Sequence, residues 1–269
     1  VEQKRRQTMI DKIDERNLAQ ERHTHFLHQC ALMEKTFEAR RINFHPVTDK
    51  HDVVPFITSF IHQRNLRTIA FSDSVSLHEC DVYRQLAEQF GGPDHRIINP
   101  FERTPDGKYK VFEDQPTGKL DLPRDEYYRR MGTVVEAMRQ TLLSDVLIIG
   151  ANAIMLKGEI VSIDGSGNRV AGMMFGPKHV IIVVGANKIC MDLDEALKRI
   201  RNVAAPLNYI RHINKHHNRY DELPCVQKGK CFDCVHPRSA CRKIAIMRGE
   251  VEFNADRTHL LVVNDNLGL

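Results

Sequence analysis

Two short, uninterrupted apolar runs, Val146 to Ile149 and Val180 to Val184, each stop at a glycine, in Gly150-Ala151-Asn152 and Gly185-Ala186-Asn187-Lys188. A strand with one wet face alternates apolar and polar side chains, so a continuous run of this length belongs to a strand buried on both faces. Burial on both faces needs helices on each side of a sheet, and so predicts an α/β fold with a mostly parallel sheet flanked by helices. Between the runs, Glu159 to Asp164 alternates like a strand and then breaks into Gly165-Ser166-Gly167-Asn168-Arg169. Ligands in open α/β sheets settle where strands end. Asp164 is therefore a candidate catalytic carboxylate, and Asn152, Asn168, Arg169 and Lys188 are candidates to bind a substrate carboxylate or phosphate through amide, guanidinium and ammonium groups. The same residues also suit a plainer arrangement, glycines making tight turns and a hydrogen-bond network ordering the loop. Glu159 and Asp164, five residues apart, point to opposite faces of a regular strand and do not form an acid/base pair.

The earlier part of the chain has the same architecture. Ile42 to Val47 reads as a strand, Asp49 to Arg64 as a helix and Thr68 to Ser72 as a buried strand, together a β-α-β unit. The junction Ser72-Asp73-Ser74-Val75-Ser76-Leu77-His78-Glu79 follows the strand and contains a capping-box pattern at Ser76 and Glu79, which predicts a helix running to Phe90 and stopping at Gly91-Gly92-Pro93. A helix start at a strand end suits an anion, with Ser74 and Ser76 as substrate-binding candidates and His78 and Glu79 as candidate catalytic groups; a plain helix cap is the alternative. Asn99 to Pro123 is a charged loop with an expected edge strand at Lys108 to Phe112. Tyr127 to Leu143 is an expected helix, and Leu193 to Val203 another that ends before Pro206. Ile244 to Phe253 and His259 to Val263 are expected to close the sheet. Residues 1–41 form an N-terminal helical extension with apolar positions at Met9, Ile13, Leu18, Phe26, Leu27, Cys30, Leu32, Met33 and Phe37, which cover a sheet edge or the surface of a homodimer. The whole chain, 1–269, reads as one α/β domain.

Residues 224–242 form a cysteine-rich segment in which Cys225, Cys231, Cys234 and Cys241 follow a C-x5-C-x2-C-x6-C spacing. Neighbouring thiolates repel, so a cation or cluster normally lets them share a site, and the chain lacks the marks of a secreted disulfide scaffold. Structural zinc favours paired short knuckles, of which only Cys231 and Cys234 make one. An iron–sulfur cluster of the 4Fe–4S kind tolerates uneven gaps when positive charge is near; here Lys228, Lys230, Arg238, Arg242 and Lys243 supply it. The cluster is the first reading, zinc the alternative, and unmetallated or disulfide-bonded cysteines the remaining one. Cys30, Cys80 and Cys190 read as small buried hydrophobes.

Composition excludes several classes. A net charge of +4, from 39 basic and 35 acidic residues that intermingle, leaves no dense basic stripe, and there is no tryptophan, so nucleic acid is not an expected partner. His212, Lys215, His216, His217 and Arg219 make a local basic excess that fits a solvated helix face or an anion contact. No apolar stretch is long enough to cross a bilayer, and the N-terminus leads into polar helix instead of a signal core, so a cytoplasmic location is expected; the missing initiator methionine implies a trimmed chain.

Gly150-Ala151-Asn152-Ala153-Ile154, Gly158-Glu159-Ile160-Val161, Asp164 to Ala171, Gly176-Pro177 and Gly185-Ala186-Asn187-Lys188-Ile189 together resemble the LUD domain, the lactate-utilisation family. The likeness continues through Ala205-Pro206-Leu207-Asn208 and the cysteine segment to Leu267-Gly268, and is weak before about residue 65. Ser76 stands where the family's similar turn has Thr, and Cys80-Asp81 departs from its usual Leu-Gly. The resemblance implies a fold similar to the NagB/RpiA/CoA-transferase-like superfamily. It also implies a bacterial role in oxidising lactate or a related small hydroxy acid through iron–sulfur electron transfer to a redox protein partner. The alternative is group transfer or isomerisation on a small anionic substrate, phosphorylated or CoA-linked, with a structural metal, or a non-catalytic accessory role.

Overall fold

The computed structural model describes residues 18–116, 122–216 and 222–269. Ten strands are present among them: β1 Asn43–Val47, β2 Thr68–Phe71, β3 Arg96–Ile98, β4 Val146–Ile149, β5 Ala153–Met155, β6 Ile160–Asp164, β7 His179–Gly185, β8 Ile189–Cys190, β9 Lys243–Met247 and β10 Thr258–Val263. The helices are α1 Ala19–Glu38, α2 Val53–Gln63, α3 Val75–Glu79, α4 Val82–Phe90, α5 Arg124–Gln140, α6 Asn168–Met174, α7 Leu193–Arg199, α8 Ala205–His216 and α9 Pro224–Lys228. The fold is α/β, with a six-stranded sheet in the order β1-β10-β7-β4-β2-β3 whose neighbours all run parallel. Every residue of β4, and of β7 from Val180 on, is buried, as the continuous apolar runs require. One face packs Ile57, Ile61, Leu77, Leu86 and Phe90 against Ile148, Ile181 and Leu261. The other packs Phe26, Met33 and Phe37 of α1, together with Ile154 and Ile160, against Leu147, Ile182 and Leu260.

Strand order, more than any local motif, fixes where a ligand can sit. After β2 the chain moves outward to β3, and the next strand, β4, is added on the opposite side of β2. Connections that leave adjacent strands in opposite directions open a crevice at the carboxyl ends, here above β2 and β4. Gly150 lets the two strand ends meet there, since a Cβ at that position would collide with Ser74 Oγ.

Several elements depart from the sequence reading for identifiable reasons. The helix expected from Ser76 to Phe90 is two, α3 and α4, separated at Asp81, which takes a left-handed conformation (φ 53°). The capping box is not formed: Ser76 lies inside α3 with its hydroxyl facing Lys188, and the Glu79 carboxylate accepts the Gly268 N–H at 2.6 Å. Lys110–Phe112 is a 3-10 turn in place of a strand, because Phe112 is drawn inward to stack on Tyr127 at 5.6 Å. The helix after Leu193 does not stop before Pro206. It widens into a π turn over Ile200–Ala204 and continues as α8, the wider turn accommodating a proline that lacks an N–H and crowds the preceding turn. Asn168 and Arg169 begin α6 instead of extending a loop. Neither late strand closes the main sheet: β9 pairs antiparallel with β6 in a second, four-stranded sheet, β8-β5-β6-β9, and β10 is central, between β1 and β7.

From the N-terminal extension, α1 buries Phe26, Cys30, Met33 and Phe37 on the sheet face and leaves Leu27 and Leu32 exposed; Met9 and Ile13 lie outside the described residues. No helix among the described residues is long and apolar enough to cross a membrane.

Candidate functional site

At the crevice lies a cavity of about 310 Å³. It is lined by Ser72, Asp73 and Ser74 after β2, Ala151 and Asn152 after β4, Asp164, Gly165, Ser166, Asn168 and Arg169 around the β6–α6 junction, Lys188, and Asn208, Tyr209, Arg211 and His212 of α8. Phe101, Tyr109, Phe112, Tyr127, Met131 and Met138 supply an aromatic and thioether part of the wall.

Tyr83 shapes the β2 end: its hydroxyl donates to Ser72 O at 2.6 Å and accepts the Ser74 N–H at 2.9 Å. Burial pushes its phenol well above the usual range, so it stays protonated. The carboxylate of Asp73 faces Arg211 at 3.1 Å, His78 at 3.5 Å and Arg103 at 3.7 Å. Three cationic or ionisable partners around one acid leave a positive surplus at the cavity.

Lys188, in the turn that ends β7, is 4% exposed. Its ammonium donates to Ser76 Oγ at 3.0 Å and to Ala151 O at 3.1 Å. Burial, reinforced by the nearby Arg199 and Arg169 charges and opposed by Glu79, lowers its pKa to about 7. At neutral pH this amine is divided between charged and neutral forms.

The loop after β6 is organised by Asp164, whose carboxylate accepts the Arg169 N–H at 2.9 Å and the Val170 N–H at 3.4 Å and so caps α6. The Arg169 guanidinium donates to Asn152 Oδ1 at 3.0 Å and to Ile163 O at 2.6 Å, and burial depresses its pKa. Asn152 Oδ1 also accepts the Ile163 N–H at 2.9 Å. The network that orders the loop is thus made by the same residues that line the cavity, with Asn168 beside them.

Of the residues singled out from the sequence, Ser74, Asn152, Asp164, Asn168, Arg169 and Lys188 line the cavity. Ser76 sits behind it, under Lys188. His78 and Glu79 are not lining residues: His78 is half exposed against Tyr83 and Asp73, and Glu79 holds Gly268. Glu159 faces away, paired with Arg248 at 2.9 Å and Arg40 at 3.6 Å. Sequence reasoning missed Asp73 as a charged centre, Arg103 and Arg211 as its partners, and the aromatic wall. Of the basic group after residue 211, His212 reaches the cavity; the side chains of Lys215, His216, His217 and Arg219 lie outside the described residues.

The cysteine quartet adjoins this cavity. Cys225 is buried in α9, Cys231 and Cys234 are half buried, and Cys241 lines the cavity, its sulfur 3.7 Å from the Tyr209 hydroxyl. Burial, then the neighbouring thiols Cys241, Cys234 and Cys231, raises the Cys225 pKa to about 11. Cys241 is raised by burial, with contributions from Cys231 and Cys234. The Cys225 and Cys241 thiols feel the other members of the quartet, a cost that a bound cation or cluster would remove, but among the described residues no three of the four sulfurs lie within 4.8 Å of one another. Cys30, Cys80 and Cys190 are isolated and buried, their pKa values raised mainly by burial to about 12, 11 and 11. Among the described residues, the group that does bring ligand atoms within 4.8 Å of one another is His179, Asp256 and His259, at the opposite end of the strands. Arg64 already neutralises that carboxylate, at 2.8 Å.

A family model, LUD domain, matches residues 30–230. No curated protein matches the chain. Among solved structures, a DUF162 family protein from Deinococcus radiodurans is 10% identical over 90% of this chain and 98% of its own, with a TM-score of 0.42. eIF2B beta from Chaetomium thermophilum is 14% identical over 52% of this chain and 44% of its own, with a TM-score of 0.26. 5-Methylthioribose 1-phosphate isomerase from Pyrococcus horikoshii OT3 is 12% identical over 64% of this chain and 39% of its own, with a TM-score of 0.27.

Proposed function

Because this chain belongs to the LUD domain family, we propose that it takes part in oxidising lactate or a related small hydroxy acid. The cavity binds the acid, and Cys225, Cys231, Cys234 and Cys241 hold an iron–sulfur cluster that serves a redox protein partner. The observation that carries this reading is Cys241, which belongs both to the quartet and to the cavity wall. When bound, such a cluster supplies one-electron transfer.

The chain's own groups prepare the substrate. Arg211, Arg169 and Lys188 attract its carboxylate, and the aromatic wall excludes water, which strengthens those charge interactions. Lys188, with a pKa of about 7, gives or takes a proton at Nζ near neutral pH. The seven cysteines are free of disulfides, which suits a reducing cytoplasm. A second reading is favoured by the same amine: a buried, partly neutral lysine also suits nucleophilic group transfer or isomerisation on an anionic substrate, with zinc as a structural metal in the quartet.

Electron paramagnetic resonance separates the two. In protein purified without air and reduced with dithionite, lactate is expected to shift the cluster signal of the wild type, and Cys234→Ser is expected to alter or abolish the signal while leaving calorimetric lactate binding in place. A signal that ignores saturating lactate refutes the shared site.

A further inference from the structure

Lactate has six non-hydrogen atoms and leaves room in the cavity for a larger acid. A volume of about 310 Å³ equals the liquid share of roughly ten waters at ~30 Å³ each, and lactate fills about a third of it. Part of the cavity's lining is apolar, from Phe101, Phe112, Tyr127, Met131 and Met138, with the Phe112 and Tyr127 rings stacked at 5.6 Å and 5°. Phe101, Tyr127 and Met131 are only partly buried, so they still have apolar surface to cover. Stacked rings and thioethers take up another ring by offset or edge contact and through sulfur–aromatic attraction.

The other end of the cavity asks for an acceptor. Ser72 is 2% exposed and its hydroxyl has no hydrogen-bond partner among the described residues. Arg211 Nε is likewise unpaired, although its NH2 group reaches Asp73 and Asn208 at 3.1 and 3.0 Å. Buried donors without acceptors are costly and are usually satisfied by the ligand.

We infer that the substrate is a 2-hydroxy acid with an aromatic side chain, of the phenyllactate or indolelactate class, its carboxylate toward Arg211 and Lys188 and its ring against Phe101, Tyr127 and Met131. This rests on the reading of the cavity as a hydroxy-acid site. Burying a phenyl group adds at least about tenfold in affinity, after allowing for the cost of ordering it.

The test is calorimetric titration of the full chain at neutral pH with lactate, 3-phenyllactate and adenosine monophosphate. Phenyllactate is expected to bind at least about tenfold more tightly than lactate. Phe101→Ala is expected to shrink that ratio to below about threefold, since a truncated aromatic contact loses most of the ring's gain. Equal affinity for the two acids overturns the aromatic class and leaves the hydroxy-acid cavity standing. Tighter binding of adenosine monophosphate than of phenyllactate overturns it in favour of a nucleotide. Failure of both acids to bind a protein whose circular dichroism shows it folded overturns the cavity reading as well.

Discussion

Replacing Lys188 with Met is predicted to stabilise the protein while weakening its anion binding. The amine is buried and its pKa falls from 10.5 to about 7. A depression of that size corresponds to about 5 kcal/mol of folding free energy lost wherever the folded protein holds the group charged, at about 1.4 kcal/mol per pH unit. Methionine removes this cost but leaves Ser76 Oγ and Ala151 O without their donor, at about 1 kcal/mol each. The variant should therefore gain about 3 kcal/mol below pH 7. Above pH 7 the folded state releases the proton while the unfolded chain keeps it up to about pH 10.5. Unfolded protein then binds more protons than folded, so wild-type stability rises with pH and the variant's advantage shrinks through that window. Urea unfolding of both proteins at pH 6 and pH 10 reads this directly. A wild-type-minus-variant difference that is the same at both pH values would mean that Lys188 titrates as an ordinary lysine, and the electrostatic account of the site would fail.

Other consequences follow from the same geometry. His259 is buried and its pKa falls to about 4, so below the unfolded value of 6.5 the unfolded chain takes up a proton that the fold refuses; stability should drop by about 3 kcal/mol between pH 6.5 and 4, and His259→Gln should flatten this part of the urea-midpoint profile. Asp164→Ala removes the acceptor for two α6 amides and should cost about 1–2 kcal/mol in urea unfolding, with Asp164→Asn costing less. Arg211→Gln removes a charged donor from the cavity and should weaken carboxylate binding by about tenfold or more in calorimetry, the circular dichroism spectrum staying that of the wild type.

The strands were legible where one physical cause dominates. Val146–Ile149 and Val180–Val184 are apolar throughout because both faces are covered, and their short length and terminal glycines mark them as strands instead of buried helix. The strand expected from Ile244 to Phe253 exists as β9 but joins a different sheet, because its partner, β6, lies about eighty residues earlier in the chain and only tertiary pairing assigns it there. Pro206 misled for a similar reason, since the π turn that tolerates it is a property of the packed helix and not of the dipeptide. Within the site, Asn152, Asp164, Arg169 and Lys188 were visible as polar groups directly beyond strand ends. Asp73 and Arg211 meet across 138 residues, a separation at which no local spacing carries a signal. The aromatic part of the wall was hidden because Phe101, Tyr109, Phe112 and Tyr127 come from separate elements, a loop, a 3-10 turn and a helix, that only the fold brings together.

The cysteine quartet bears most directly on the central claim, that an electron-transfer centre shares a wall with an anion cavity. The measurement is iron, acid-labile sulfide and zinc content, with a visible spectrum, on protein purified without air. About four irons and four sulfides per chain, with absorption bleached by dithionite, is the predicted result. One zinc per chain and no chromophore contradicts the redox account and leaves the cavity with amine chemistry at Lys188 beside a structural metal.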